Sequence, residues 1–547
     1  MKFEFSGNNL SGKDRKLQRF FEILPGTTSW VIIIGMLILS FQQPIYAAVI
    51  IIAFDFYWLL RLLYLTLFLI FSYIRLTAEK ETNWMERVRK LDNLEDYLEE
   101  LTACKKQVNK KQKLSDKALL SEVEEFHKSG SNKAQLNDLY NLVIIPVAKE
   151  TREIVEPGLK SIAESSFPLK QIIIVLAVEE RADETVKNDI RHLAQTYQDK
   201  FFDIMIFLHP DGIAGEAKAK GANVSFAAKK AAEYLAAKNI SFENVIVSCF
   251  DSDTVVNSEY FASLTYYFQV CPRRERASFQ PVPVYNNNIW EAPGITRVLE
   301  TGSSFFQLIE ATNPEKLVTF SSHSMSFKAL VDIGYWPVDM ISDDSAIFWK
   351  AFVHFDGEYK VIPMYTTLSM DAVVAGTWWK TVKNVYKQKR RWAWGVENFP
   401  IVMRAFLKNK NISVFFKIKQ AFKLFEGHVA WATWAFLLTF IGWLPAIFAG
   451  REFSHSVLYY SAPRIMGIIF NLASFSLITS IILSLLLLPK PTEKNSIGKR
   501  VGYAFQWLLV PFTMVFLSAL PALDAQTRML LGKYMTFWVT DKKRTVD

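Results

Sequence analysis

Asn244-Val245-Ile246-Val247-Ser248-Cys249-Phe250-Asp251-Ser252-Asp253 is a mostly apolar run that ends on two carboxylates. Its length and β-branched content predict a buried strand, which delivers Asp251 and Asp253 at its carboxyl end. Similar runs lie upstream at 142–146, 171–178 and 202–208, and helical patterns fall between them at 154–165 and 221–238. Strands alternating with helices predict an α/β fold with a mostly parallel sheet and helices on both faces. Such sheets bind ligands at the carboxyl ends of their strands, where the two aspartates stand. This domain is expected over residues 139–398.

Outward from it, the chain turns apolar. Two runs, 27–41 and 45–74, are separated by Gln42-Gln43-Pro44, a plausible hairpin turn. A span needs about 20 apolar residues, so the first run is short and the second long. Lys13, Arg15, Lys16 and Arg19 precede the hairpin, and Arg75, Lys80, Arg87, Arg89 and Lys90 follow it. Positive flanks on both sides predict that residues 1–75 form a hairpin with both ends in the cytosol. Asp55 and Arg61 lie within the second run, where burial against neighbouring helices or snorkelling explains them as well as function does. No small-residue cleavage site follows the first run, so no removable signal peptide is expected.

Residues 76–138 read as cytosolic helices, with Trp84, Val88, Leu91, Leu94 and Leu98 at helical spacing; the basic run 105–113 reads as a solvated face. Residues 399–427 read as an amphipathic interfacial segment, carrying Arg404, Lys408, Lys410, Lys417, Lys419 and Lys423. Three apolar segments are expected over 428–523. The tail, 524–547, carries Arg528, Lys533, Lys542, Lys543 and Arg544 and prefers the cytosol, whereas three spans would put it outside. A break at Pro511 and Pro521, making a re-entrant hairpin, would reconcile the two.

Composition agrees with a soluble domain joined to membrane segments. The 547 residues are 50% apolar, include 43 Phe, and carry a formal charge of +9; the mean hydropathy is +0.12. The cations cluster beside apolar segments, which suits an anionic leaflet better than nucleic acid. Cys104, Cys249 and Cys271 match no zinc spacing and read as reduced thiols.

Three motifs carry chemistry. Asp251-x-Asp253 offers hard oxygen ligands for Mg²⁺ or Mn²⁺ shared with a diphosphate. Ser342-Asp343-Asp344 opens a helical pattern; its carboxylates read either as a helix cap or, at Asp344, as a general base for an acceptor hydroxyl. Gln388-Lys389-Arg390-Arg391-Trp392 offers guanidinium forks for phosphate and an indole face for a sugar ring, or else a membrane-surface anchor.

Taken in order, these motifs resemble the D, DxD, [TE]D, Q(Q/R)xRW series of membrane-embedded family 2 glycosyltransferases, which include cellulose, hyaluronan and chitin synthases. The resemblance covers roughly 139–392 and extends to the flanking membrane segments. It implies a GT-A-type nucleotide-sugar domain, a divalent cation and inversion at the anomeric carbon. Carried over, it implies metal and diphosphate binding by Asp251 and Asp253, Asp344 as base, Gln388 and Arg391 on the donor, and Trp392 with Asp343 at the acceptor end. Pro146 and Glu150 resemble the opening of the nucleotide pocket, although Ala148 and Lys149 depart from the usual Pro-x-x-Asn-Glu. Lys218-Ala219-Lys220-Gly221-Ala222-Asn223 resembles a donor-side segment, with Lys220 toward the donor. Glu179-Glu180 stands where an Asp-Asp-Gly-like turn is usual, so Glu179 takes the expected base-recognition place. Lys389 replaces the usual Gln or Arg. His323 lies in the acceptor-side turn and reads equally as a structural histidine.

The expected activity is therefore sugar transfer from a UDP- or GDP-sugar to a glycan or lipid-linked acceptor, at the cytosolic face of the plasma membrane and in contact with membrane lipids. Processive synthesis is favoured over a single transfer, with Trp378, Trp379, Trp394, Trp431 and Trp434 fitting either a sugar path or an interfacial aromatic belt. A non-catalytic nucleotide-sugar-binding membrane protein is the competing class. Nucleic acid is not an expected partner.

Overall fold

The computed structural model describes residues 3–8, 10–104, 110–130, 134–448, 457–489 and 502–536. Two long helices open it, α1 (Gly12–Gln42) and α2 (Pro44–Lys80). They break at Gln43, whose backbone leaves the helical region, and Pro44 restarts the helix at a position where its missing N–H costs nothing. Both are long and apolar enough to cross a bilayer. Arg61 on α2 stacks over Trp58 at 4.8 Å and reaches Glu426 at 3.1 Å.

The helices α3 (Trp84–Lys90), α4 (Leu94–Cys104) and α5 (Lys110–Ser129) are not a free spacer. Trp84, Val88, Leu119 and Val123 are buried in the same core as the sheet. The Trp84 indole packs on Tyr266 and Tyr267, and Arg75, Glu79 and Tyr267 form a buried polar knot.

The α/β domain begins with β1 (Tyr140–Val147), α6 (Arg152–Ala163), β2 (Ile172–Glu179), α7 (Glu184–Tyr197), β3 (Asp203–His209), α8 (Lys220–Ala237) and β4 (Val245–Cys249). It continues through β5 (Val255–Val256), α9 (Tyr260–Val270), β6 (Ala277–Val284), α10 (Gly294–Ala311), β7 (Ser324–Ser326), α11 (Phe327–Asp332), α12 (Asp343–His354) and β8 (Lys360–Ser369). Then follow α13 (Trp378–Ala393), α14 (Asn398–Lys408) and α15 (Val414–Thr439). The strands form one sheet in the order β3-β2-β1-β4-β7-β6-β8-β5. Its first four strands are parallel, as the alternating pattern predicts; β7 runs antiparallel to both β4 and β6, which makes the sheet mixed.

Burial on two faces explains why these strands read as unbroken apolar runs. Val143, Ile145 and Val147 of β1 point into a core with α6, α7 and α9. Leu142 and Ile144 point the other way, onto Val224, Ala227, Ala228 and Ala231 of α8. Small residues let α8 approach the sheet closely, and Asn223 donates 2.8 Å to the Ala177 carbonyl on β2. Each fully buried Ile or Val contributes roughly 1.5–3 kcal/mol, so the sheet is a rigid base for the loops at its carboxyl edge.

The stretch expected to be one amphipathic segment divides in two. On α14, Phe399, Ile401, Val402, Ala405 and Phe406 join the core, and buried Arg404 is bonded to Gln18 and the Ser6 carbonyl. The exposed apolar stripe begins later, at Val414, Phe415, Ile418 and Phe422 of α15. The whole stretch scans as apolar with scattered cations; only packing separates the helix whose apolar face meets the core from the one whose face does not.

Helix α15 continues into a bent partner, 441–448, at 45°. A further helix runs Val457–Leu487. Residues 490–501 and 537–547 lie outside the described residues. The last described helix, Gly502–Leu530, is a third candidate span by length and apolarity. Neither proline turns it back: a 3-10 stretch before Pro511 and a π-turn at Val515–Ala519 absorb the missing donors. Tyr503 and Gln506 meet Trp290 and Arg297, Leu517 joins Leu299 and Val385, and Asp524 bonds Arg390 at 2.8 Å. At its C-terminus Arg19 of α1 donates to the Met529 carbonyl, and Gly26 leaves room for the backbone at Gln526. The end of this helix therefore sits beside the start of α1.

Candidate active site

The carboxyl edge of β4 delivers Asp251 immediately after Phe250. Two hydroxyls hold the turn that follows: Ser322 Oγ accepts from the Asp251 backbone N–H at 3.2 Å, and Ser321 Oγ donates to the Asp251 carboxylate. Ser322 has a positive φ of 61°, so the loop before β7 is bent sharply to bring both serines there.

Lys220, the first residue of α8, joins the two acidic motifs. Its ammonium is 2.7 Å from Asp251 Oδ1 and 2.9 Å from Asp344 Oδ1. Burial pulls the lysine toward neutrality, but Asp251 and Asp344 more than offset it and hold it well above its ordinary value. This approach depends on Gly221, where a Cβ would stand 2.4 Å from the Pro337 carbonyl oxygen and 3.0 Å from Asp343 Cβ.

Asp343 and Asp344 open α12. Burial, then the Asp344 charge, push the Asp343 carboxyl well above the usual carboxylate range, and the Lys220 charge, then that of Arg391, oppose this. Asp343 Oδ2 is buried without a hydrogen-bond partner, as is Gln388 Oε1 on α13. Buried polar atoms left open in this way are uncommon and suit a ligand. The start of α12 is clamped from behind. Glu397 Oε1 accepts from the backbone N–H groups of Ile341 and Ser342, at 3.0 and 2.8 Å, and from Ser342 Oγ at 2.7 Å; Glu397 Oε2 accepts from the Trp394 indole.

Asp253 is fully buried and accepts 2.8 Å from the backbone N–H of Asp371. Asn287 ties the Asp253 carbonyl to the Asp371 carboxylate. Among the described residues no three His, Cys, Asp or Glu side chains converge as a complete metal shell. Asp251 and Asp253 supply oxygen donors of the right kind for a hard divalent ion, but only as part of a shell completed by other oxygens such as those of a diphosphate.

At the far edge, Trp392 lies half-buried on α13 beside Tyr285, 5.9 Å between ring centroids. The Lys389 ammonium sits 3.7 Å over the indole and is salt-bridged to Glu300 at 2.9 Å.

The remaining expected residues occupy neighbouring strand ends. Glu150, after β1, accepts from the backbone N–H groups of Ala148 and Lys149 and so shapes its own loop below Pro146. Glu179 closes β2, opposite His209 on β3. His209 bridges Glu179 and Glu216, at 3.3 and 2.9 Å, and Arg181 adds a contact to Glu179 at 3.5 Å. His323 is fully buried against Trp336, with Nδ1 2.9 Å from the Phe320 carbonyl.

The structure thus gathers Lys220, Asp251, Asp343 and Asp344, with Arg391 near them, from segments far apart in the chain. Glu179 and Glu150 stand at the next strand ends, and His323 lies behind the Asp251 turn. Sequence reading missed Glu397, Tyr285 and Glu300. None has a local signal, because each acts through a partner distant in sequence.

A sequence model described as glycosyl transferase family group 2 matches residues 246–520. A poly-beta-1,6-N-acetyl-D-glucosamine synthase of Staphylococcus epidermidis is 23% identical over 349 residues, covering 62% of this chain and 74% of its own length. A second, from the same species, is 24% identical over 292 residues, and this chain spans 60% of its length. Among solved structures, a Pyrobaculum calidifontis mannosyltransferase in complex with GDP-Man and Mn²⁺ is 14% identical, covers 81% of this chain and all of its own, and has a TM-score of 0.39.

Proposed function

The chain belongs to glycosyl transferase family group 2, and from that premise we propose that it is an inverting, metal-dependent polysaccharide synthase. It works at the cytosolic face of the plasma membrane and passes sugars from a nucleotide-sugar donor to a growing glycan. The observation that carries this reading is the Lys220 ammonium, in contact with carboxylates from both acidic motifs at once. Two motifs that would be unrelated caps or surface pairs thereby become one site.

In this reading Asp344 takes the proton of the acceptor hydroxyl as its oxygen attacks the anomeric carbon. The bond from that carbon to the diphosphate oxygen breaks, and the nucleoside diphosphate leaves. A base on the acceptor side and a leaving group on the other give inversion. Arg391 and Gln388 hold diphosphate oxygens, for which the guanidinium is suited by its fork of donors. Asp251 and Asp253 would hold Mg²⁺ or Mn²⁺, which supplies neutralisation of the leaving diphosphate. Lys220 keeps Asp251 and Asp344 from repelling each other. Pro146, Glu150 and Glu179 border the nucleoside, with Glu179 oriented by His209. Asp343 and Trp392 meet the acceptor, and buried His323 supports the Asp251 turn from behind.

The name of the staphylococcal relatives makes N-acetylglucosamine the first sugar to try. The test is nucleotide release by the purified protein in nanodiscs, with UDP- and GDP-sugars and Mg²⁺ or Mn²⁺, beside Asp344→Asn. Metal-dependent release from one donor, lost in the variant and accompanied by a product ladder, supports the proposal. One shifted lipid product would replace it with single transfer. Donor binding without turnover, with acceptor supplied, would leave a binding protein.

A further inference from the structure

We propose that Lys389 and Glu300 form a buried ion pair whose task is to position Trp392, and with it the acceptor end of the glycan; this rests on the reading of Trp392 as an acceptor contact. Lys389 departs from the Gln or Arg expected at this place, and the structure shows what accompanies the change. Lys389 and Trp392 are three residues apart on α13 and so share a face. Glu300 and Ser303 share a face of α10 in the same way. The Lys389 ammonium fills the gap between the helices, 2.9 Å from Glu300 Oε2 and 2.9 Å from Ser303 Oγ. Its remaining side looks onto the indole, 3.7 Å from the ring centroid, well inside cation–π range. The side chains of Lys389 and Glu300 are 4% and 1% exposed.

A cation on one face of the indole leaves the opposite face and the edge for a sugar. It also fixes the ring's tilt, with Tyr285 closing a third side. Glu300 matters as much as Lys389, since without it the ammonium would be an unpaired buried charge. Helix α10 is itself anchored toward the membrane segments. Arg297 bonds Gln506 at 2.8 Å, Phe305 stacks on Trp507 at 5.9 Å, and the Leu308 carbonyl accepts from Ser72 of α2. The Trp392 shelf is thus tied, through one ion pair, to the helix that meets both α2 and the last helix.

The experiment uses the full chain in nanodiscs, labelled with 5-fluorotryptophan, the Trp392 resonance being assigned with Trp392→Phe. Single replacements risk stranding a charge, so the variants are Lys389→Met with Glu300→Met together, and Lys389→Arg alone. In the double variant the Trp392 fluorine signal is expected to shift or broaden, and the ratio of sugar transfer to donor hydrolysis to fall by at least about tenfold, with shorter products. Adding Trp392→Ala to the double variant should lower the ratio no further than Trp392→Ala alone, because the pair acts through the ring. Lys389→Arg keeps a cation on the ring and should restore both readouts. An unmoved fluorine signal, or losses that add to those of Trp392→Ala, would overturn the proposal. If the unmodified protein transfers no sugar, the synthase reading fails by itself, and the fluorine measurement decides the positioning role alone.

Discussion

The Lys220 ammonium stands 2.9 Å from Asp344 Oδ1, one residue inside a helix that can come this close only because the next residue is glycine. Asp344→Asn keeps the shape of the contact but removes the proton acceptor. Turnover is expected to fall by roughly 10²–10⁴-fold, the usual contribution of a general base, while donor affinity stays within about threefold. Nucleotide release and calorimetric donor titration check this. A loss of donor affinity as large as that in Asp253→Ala would remove Asp344 from the base role.

Gly221→Ala tests the approach itself. The added methyl would meet the Pro337 carbonyl oxygen at 2.4 Å, and backbone cannot yield as a side chain does. Overpacking of this kind costs about 1–3 kcal/mol, so a lowered melting temperature and a weakened donor affinity are expected together. Unchanged donor affinity would mean that α8 can retreat without disturbing the site.

Glu397→Gln weakens the clamp behind α12. The carboxylate oxygen accepts three bonds at Ile341 and Ser342, and burial pushes its carboxyl above the ordinary range despite them. The amide keeps one acceptor but turns the other oxygen into a donor facing the Trp394 N–H. A cost of about 1–3 kcal/mol in stability is expected, with a drop in kcat larger than any change in donor KM. Equal changes in both would make Glu397 a purely structural residue.

His209 predicts a pH dependence. Burial lowers the imidazole's proton affinity, but bonds to Glu179 and Glu216 outweigh it and raise the pKa above its ordinary value. A raised folded-state pKa stabilises the protein fully below the unfolded value, near 6.5, and the benefit is lost as pH rises through the higher folded value. Melting temperature should fall over that window, and His209→Gln should flatten the slope. A slope unchanged in the variant would assign it to another group.

Much of the architecture was legible because burial on both sheet faces writes long apolar runs, and because Asp251 follows such a run directly. What the helical linker and α14 pack against was not legible, for one reason. An amphipathic pattern reports that a face is covered, and Trp84 or Phe399 carries no mark of whether core or lipid covers it. The site was legible where chemistry repeats in short motifs. It was illegible where a residue serves another from afar: Glu300 is 89 residues from Lys389, and Glu397 is 55 from Ser342. Neither spacing has a period that a sequence can display.

The last helix carries a practical consequence. Leu517 covers Ile295, Leu299, Val373 and Val385, and Asp524 neutralises Arg390. A protein trimmed to the α/β domain alone would bare this oily seam and strand a guanidinium on the very helix that bears Trp392. Expression of the isolated domain is therefore expected to give aggregates.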